Sequence, residues 1–506
     1  MNKAIDDKSG GHKKPNLLFV LVDQMRYSAM GYPGLENVYT PNLDRFASEG
    51  AFFRNAVSNI PVCTPARACM LTGRYPLGNT VLVNNSILPN DMPSIGKILK
   101  KEGFSTGYIG KWHLGGEAFI GQTEYNGGHA GYIPPGEMRH GFDYWAVHHC
   151  HHSYWNACYY LDEPEPIQIS GWEPDTQTDL AIDFISKNSS SKENDPFALF
   201  VSWGAPHTPF TAPDEFLEQY DEDKIEFFPN VEFSETILHC DSGVPEKAKG
   251  NPEKTLRNFF CNYYAAISSL DHCFGRLLDE LERLGIADDT IVVFTSDHGD
   301  MMGSQGQMHK LQPWDESVRI PFMVRYPEKI LKGKNIDFPF NLPDILPTLL
   351  GLMNVDCPSG VEGVDCSGFM LGDNSSMKEP DSSFLIWPCN ACTWGKKWTY
   401  LKDSGWGGIP VGFLRPYRGV RSEEFTYVQD REGDWMLYDN QRDPWQMNNL
   451  IKASGKNQVP AHLKTMLSEW LEKTGDTFAD TDFYLNQIDL ETGLVKEPEK
   501  LVNNKI

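Results

Sequence analysis

The residues best placed to do chemistry begin at Cys63. The stretch Cys63-Thr64-Pro65-Ala66-Arg67 runs into helix-compatible residues 68–71 and a Thr72-Gly73-Arg74 stop. Pro65 fixes its own φ near the helical value, so a turn opens here into a helix whose first N–H groups have no intrahelical partner. A thiol at that end sits in the positive field of the helix and beside the guanidinium of Arg67. A thiolate at position 63, or an oxyanion attached there, would be stabilised. A buried, inert structural cysteine is the plain alternative. Two further pairs could hold a cation: Asp23-Gln24 follows the apolar run NLLFVLV at 16–22, and Asp297-His298 follows TIVVFT at 290–295. Such continuous apolar runs predict strands buried on both faces of a mostly parallel sheet, and ligands bind at the carboxyl edge of such a sheet. Both pairs then meet at one edge, where oxygen-rich ligands select a hard cation, Ca2+ or Mg2+. Strand-end aspartates that merely cap loops are the competing reading.

Other elements must position these groups. A strand over 104–110 leads to Lys111 and His113, which lie two apart and would enter one pocket if the strand continues. FALFVSW at 197–203 predicts another buried strand, with His207 just beyond its end. Helices are predicted over 40–49, with Thr40 as N-cap before Pro41, over 93–102, over 176–186, and over 256–284 with Asp271, Asp279, Glu280 and Glu282 facing outward. Regularity fails from 116 to 175, a segment holding the aromatic and histidine cluster FDYWAVHHCHHSYWNACYY at 142–160. Histidines 148, 149, 151 and 152 have no partnering Cys or carboxylate at a known ligand spacing, so a wall of the substrate pocket, or a loop packed on the core, is preferred to a metal site. The acidic stretch 214–226 reads as solvated surface. Cys389-x-x-Cys392 has no second pair and reads as coincidence.

The totals bound the rest. A chain of 506 residues suggests one large domain, 15–382, followed by a smaller one, 383–506, with short β-like runs and a final helix over 461–473. A formal charge of −24 argues against nucleic acid or an anionic membrane as partner. The polar residues 1–16 carry no signal-like apolar core, so the chain as written is expected in the cytoplasm, and in the periplasm or outside the cell if the start is trimmed. With 11 cysteines, a complete disulfide framework is impossible.

PVCTPARACMLTGRYP at 61–76 resembles the activating signature of the type I sulfatases, a Cys-x-Pro-x-Arg core extended by Thr-Gly-Arg. Gly110-Lys111-Trp112-His113-Leu114-Gly115, Pro206-His207, the block 295–327 and residues 344–350 resemble further pieces of that family. The resemblance implies an α/β, alkaline-phosphatase-like fold: a large, mostly parallel central sheet flanked by helices, and a small C-terminal domain with an antiparallel sheet and a helix. It implies that Cys63 becomes formylglycine through a formylglycine-generating maturation enzyme, and that Asp23, Gln24, residue 63, Asp297 and His298 hold Ca2+ or Mg2+. Arg67 would help hold the nucleophile, Lys111, Lys310 and His207 would bind sulfate, His207 or Lys310 would protonate the leaving oxygen, and His113 would act on the formylglycine oxygen. The family usually has an acid at Gln24 and often Asn at His298, which leaves two carboxylates here and a weaker metal site. The implied activity is hydrolysis of a small-molecule or oligosaccharide sulfate ester, a sulfated carbohydrate being preferred, with the clusters at 142–160 and 394–406 closing over the sugar. A phosphonate monoester or phosphodiester hydrolase is the nearest alternative, and a non-catalytic sulfated-glycan binding protein a more distant one.

Overall fold

Strand β1 (Asn16–Asp23) is buried along almost its whole length, and alternate residues feed opposite sides of the molecule. Leu17, Phe19 and Leu21 join one hydrophobic core, while Leu18, Val20 and Val22 join the other. The unbroken apolar run is thus explained by a strand covered on both faces. The computed structural model describes residues 14–116, 131–190, 195–240, 245–327, 329–372, 378–389, 415–453, 459–489 and 494–502, together with the backbone of 124–125 and 128–129.

Around β1 the sheet gathers β2 (Ala51–Phe53), β3 (Ser105–Lys111), β4 (Tyr144–His148), β5 (Phe197–Pro206), β6 (Thr290–Ser296), β7 (Phe322–Arg325) and β8 (Lys334–Ile336). Their order is β8-β2-β7-β6-β1-β5-β3-β4. β1 pairs in parallel with both β5 and β6, and β3 pairs in parallel with β5 and β4. β7 runs antiparallel to its neighbours β6 and β2. The carboxyl ends of β1, β3, β5 and β6 therefore lie along one edge. Helices α1 (Pro41–Glu49), α2 (Cys63–Thr72), α3 (Ile95–Lys101), α4 (Glu173–Ser189) and α5 (Pro252–Arg283) flank this sheet. Leu43 and Phe46 of α1 and Phe274 of α5 pack with the even-numbered residues of β1, and Ala66 and Met70 of α2 with the odd-numbered ones.

A second, antiparallel sheet follows in the order β9 (Ser383–Trp387), β10 (Tyr417–Arg421), β11 (Phe425–Asp430), β12 (Gly433–Asp439). Helix α6 (Ala461–Thr474) packs its Leu463 and Leu467 into the core that also holds Phe384, Leu385 and Ile386. Arg421 is tied to Asp315 of the large sheet's side by a salt bridge of 2.7 Å. Among the described residues no helix is long and apolar enough to cross a membrane.

Three expectations are corrected. The irregular stretch 116–175 contains β4, the edge strand, which no continuous apolar run announces; Tyr144, Trp145 and Val147 take the extended form because β3 offers them a hydrogen-bonding edge. Thr40 makes no side-chain cap to α1; its hydroxyl accepts from the Gly31 N–H and donates to Asp44. Asp271, expected on the outer face of the long helix, is buried and supplies that cap instead, accepting from the Leu43 N–H at 2.7 Å and the Asn42 N–H at 3.2 Å. Glu280 is buried as well, held by Arg283.

Candidate active site

Cys63 is the first residue of α2, and Arg67 lies one turn on, so both project from one face of the helix toward the strand ends. The Thr64 N–H in that first turn is taken by the side chain of Asn84 at 2.9 Å. Cys63 Sγ stands 3.2 Å from His298 Nε2, 3.6 Å from Lys310 Nζ and 3.7 Å from Asp23 Oδ1.

Arg67 binds four strands together near their carboxyl ends. It donates to Asp297 Oδ2 at 3.1 Å, to Asp23 Oδ2 at 3.2 Å, to Ser202 Oγ at 2.7 Å and to the Lys111 carbonyl at 2.9 Å. Lys111 Nζ donates to Asp23 Oδ2 at 2.6 Å. All of these groups are buried, a placement tolerated because each charge meets an opposite one. Burial alone would raise the Asp23 pKa, but Lys111, with help from His207, Arg67 and Lys310, holds its carboxyl well below the usual range.

One oxygen of each aspartate faces the thiol. Asp23 Oδ1 and Asp297 Oδ1 lie 3.7 and 3.6 Å from His298 Nε2, and with Cys63 they form a buried cluster whose donor atoms all lie within 4.8 Å of one another. His298 Nδ1 faces the Gly299 carbonyl at 3.0 Å, which assigns its proton there and turns Nε2 as a lone pair into the cluster. Two hard oxygens and an imidazole nitrogen converging in this way fit a divalent cation. Gln24 lies in the same site beside Lys310. Its amide donates to Asp300 Oδ2 at 2.5 Å and its carbonyl oxygen accepts from Lys310 Nζ at 2.5 Å, so it orients the lysine.

Lys310 Nζ also donates to His207 Nε2 at 2.5 Å, and His207 Nδ1 faces the Thr208 carbonyl at 2.7 Å. Burial, then Lys310 and His152, push the His207 pKa well down. The ring of His152 stacks on that of His207 with centroids 4.2 Å apart, so part of the 142–160 cluster does border the site. Phe142 and Trp145 instead pack beneath the sheet against Tyr108. His113 donates through Nε2 to Asn85 Oδ1 at 3.1 Å, leaving Nδ1 buried without a hydrogen-bond partner, and burial with the charge of Lys111 keeps it neutral. Against burial and Asp23, the cations Lys111 and Lys310 draw the Cys63 pKa down.

Asn84, Asn85, Ser202 and Asp300 escaped the sequence reading, although Ser202, a lone polar residue inside FALFVSW, was a visible signal. In the structure Gln24, Asn85 and His113 also share a backbone feature: each is a non-glycine residue with φ between 58° and 71°, the strained geometry that clusters at active sites. Cys392 and the tryptophans between 394 and 406 lie outside the described residues.

Cations gathered around residue 63 neutralise an anionic ester, which places the protein among hydrolases of charged esters. Comparison with known proteins names the class. The chain matches the Sulfatase family over residues 15–355 and belongs to that family. It is 36% identical over 480 residues to the ulvan-active sulfatase of Formosa agariphila, covering 94% of this chain and 84% of that protein. It is 28% identical over 495 residues to the endo-4-O-sulfatase of Bacteroides thetaiotaomicron, covering 90% and 92%. The crystal structure of the sulfatase yidJ from Bacteroides fragilis superposes with a TM-score of 0.76 at 29% identity, over 92% of this chain and 97% of that one. The protein is a sulfuric ester hydrolase with the α/β architecture of the alkaline-phosphatase-like superfamily.

Proposed function

We propose that this sulfatase removes sulfate from a sulfated carbohydrate, with residue 63 as nucleophile after conversion of Cys63 to formylglycine by a maturation enzyme. The observation that carries the reading is the position of Cys63 Sγ, 3.2 Å from His298, 3.6 Å from Lys310 and 3.7 Å from Asp23, where the cation ligands and the sulfate-binding cations meet. The family's use of a metal and formylglycine supports it, as do the names of the two relatives for the carbohydrate class.

Addition of water to the aldehyde of residue 63 gives a hydrate with two hydroxyls, and Asp23, Asp297 and His298 would hold Ca2+, or Mg2+, which would lower the pKa of one of them for attack on sulfur. Lys111 and Lys310 bind the sulfate oxygens, and charge neutralisation at those oxygens is the main catalytic effect, as in phosphoryl transfer. The Lys310–His207 pair delivers a proton to the leaving oxygen, since the two already share a hydrogen bond of 2.5 Å. Once the first hydroxyl has bonded to sulfur and the alcohol has left, His113, neutral and with Nδ1 bare, accepts the proton of the second hydroxyl of the hydrate, so that the C=O bond re-forms, the C–O bond to sulfate breaks and the aldehyde is regenerated. Arg67 holds both aspartates in register throughout.

Mass spectrometry of the peptide containing residue 63, from protein made in its native host, is expected to show an aldehyde in place of the thiol, and Cys63→Ala to abolish turnover. An unmodified thiol in active native protein would overturn the mechanism. Chelation of divalent ions is expected to stop turnover and Ca2+ to restore it more fully than Mg2+. The same cations could bind a phosphonate, so rates on a matched sulfate and phosphonate ester pair separate the two readings, and a preference for the phosphonate would count against this one.

A further inference from the structure

We propose that His148, His151 and Glu173 form a second metal site, suited to zinc, separate from the Asp23–Asp297 centre. His148 ends β4, His151 lies three residues on in the following loop, and Glu173 is the first residue of α4. The fold brings a carboxylate to a histidine pair that has none near it in sequence.

All three side chains are buried, Glu173 completely. His148 Nε2 and His151 Nε2 lie 3.2 and 3.3 Å from the same oxygen, Glu173 Oε1. Yet neither contact has hydrogen-bond alignment, and both carboxylate oxygens of Glu173 lack a hydrogen-bond donor; His151 Nδ1 accepts from the Ser153 N–H at 3.3 Å, a long contact that the ring gives up when its proton moves to Nδ1 and Nε2 takes the ion. Among the described residues, Glu173 has no ion-pair partner except these two histidines. A carboxylate in that position is costly to bury unless a cation compensates it. The three donor atoms lie within 4.8 Å of one another, as they would around one ion. For a tetrahedral zinc with ligand bonds of about 2.0–2.1 Å, neighbouring ligand atoms stand about 3.3 Å apart. The observed 3.2 and 3.3 Å match that edge. Two imidazoles and one carboxylate form the borderline donor set that favours zinc over Ca2+.

The ion would fasten the wall of the catalytic pocket. The His113 N–H donates to the His149 carbonyl at 2.7 Å, and the Trp112 N–H to the His148 carbonyl at 3.0 Å. The Glu173 N–H donates to the Tyr154 carbonyl at 2.9 Å, while the Tyr154 hydroxyl donates to the His207 carbonyl at 2.8 Å. His152, next to His151, stacks on His207. The three ligands thus tie together the segment that seats both His113 and His207, and zinc here is structural.

Full-length protein freed of metal by chelation and then loaded with Zn2+ or Co2+ tests this without any sulfatase assay, so its failure is distinct from failure of the proposed function. One zinc equivalent is expected in the wild type and in Asp297→Asn, and none in Glu173→Gln at the same loading. Co2+ is expected to give the visible bands of a tetrahedral site, without thiolate-to-cobalt charge transfer. Zinc retained by Glu173→Gln but lost from Asp297→Asn would overturn the proposal, as would a wild type that takes up no zinc. Should Glu173→Gln not fold, the cobalt spectrum of Asp297→Asn, in which the first centre is broken, decides alone: tetrahedral bands free of charge transfer support the site, and their absence rejects it.

Discussion

His113 shows how much one neighbour can decide. Its Nε2 proton is held by Asn85 Oδ1, so the tautomer that exposes a bare Nδ1 is set by a residue on another loop. Removing such an orienting partner commonly costs 10–100-fold. Asn85→Ala is therefore expected to lower kcat by about 10–100-fold with little change in KM. Asn85→Asp, which keeps the acceptor and tolerates the φ of 65°, should recover much of the loss. Steady-state kinetics on a sulfate ester check this, and an unchanged kcat in Asn85→Ala would remove His113 orientation from the mechanism. Cys63 and Arg67 were legible because helical spacing alone puts residues four apart on one face. Asn85 was not, since an Asn in a loop has no signature until the histidine it meets is known.

At the scale of the element, Asp271 links α5 to the start of α1. Its carboxylate takes the Leu43 and Asn42 N–H groups that Thr40 was expected to satisfy, and burial raises its pKa to about 6. Asp271→Ala leaves those N–H groups without their acceptor, a loss of about 1–3 kcal/mol by the cost of unsatisfied buried donors. Urea unfolding is expected to show a lower midpoint with kcat near the wild-type value; an unaltered midpoint would mean the cap contributes nothing. β4 belongs to the same scale. Its strand form depends on the neighbouring β3 edge, and for that reason the sequence pattern from 116 to 175 did not disclose it.

Across the whole molecule, burial of histidine couples stability to pH. His140 is one case away from the active site: burial first, then Lys97, lowers its pKa to about 4. The folded state then binds fewer protons than the unfolded state below the ordinary histidine value of about 6.5. Stability contributed by neutral His140 is present above about pH 6.5 and is lost as pH falls toward 4, at about 1.4 kcal/mol per pH unit. His140→Asn, acceptable at a φ of 48°, is expected to flatten the fall in Tm between pH 6 and about pH 4 while changing it little at pH 8. Equal slopes in the two proteins would show that His140 titrates normally.

By itself, the sequence determined the buried strands β1, β5 and β6, the helix opening at Cys63 and the strand ends that carry Asp23 and Asp297, because apolar runs, a proline at a helix start and helical spacing act over a few residues. Only the tertiary structure decided which loop asparagines hold Thr64 and His113, that Gln24 serves Lys310, that Asp271 caps another helix, and that Glu173 meets His148 and His151. Those contacts join residues far apart in the chain. Their energy lies in desolvated hydrogen bonds and charge pairs, which have no local signature and exist only once the sheet has brought their elements together.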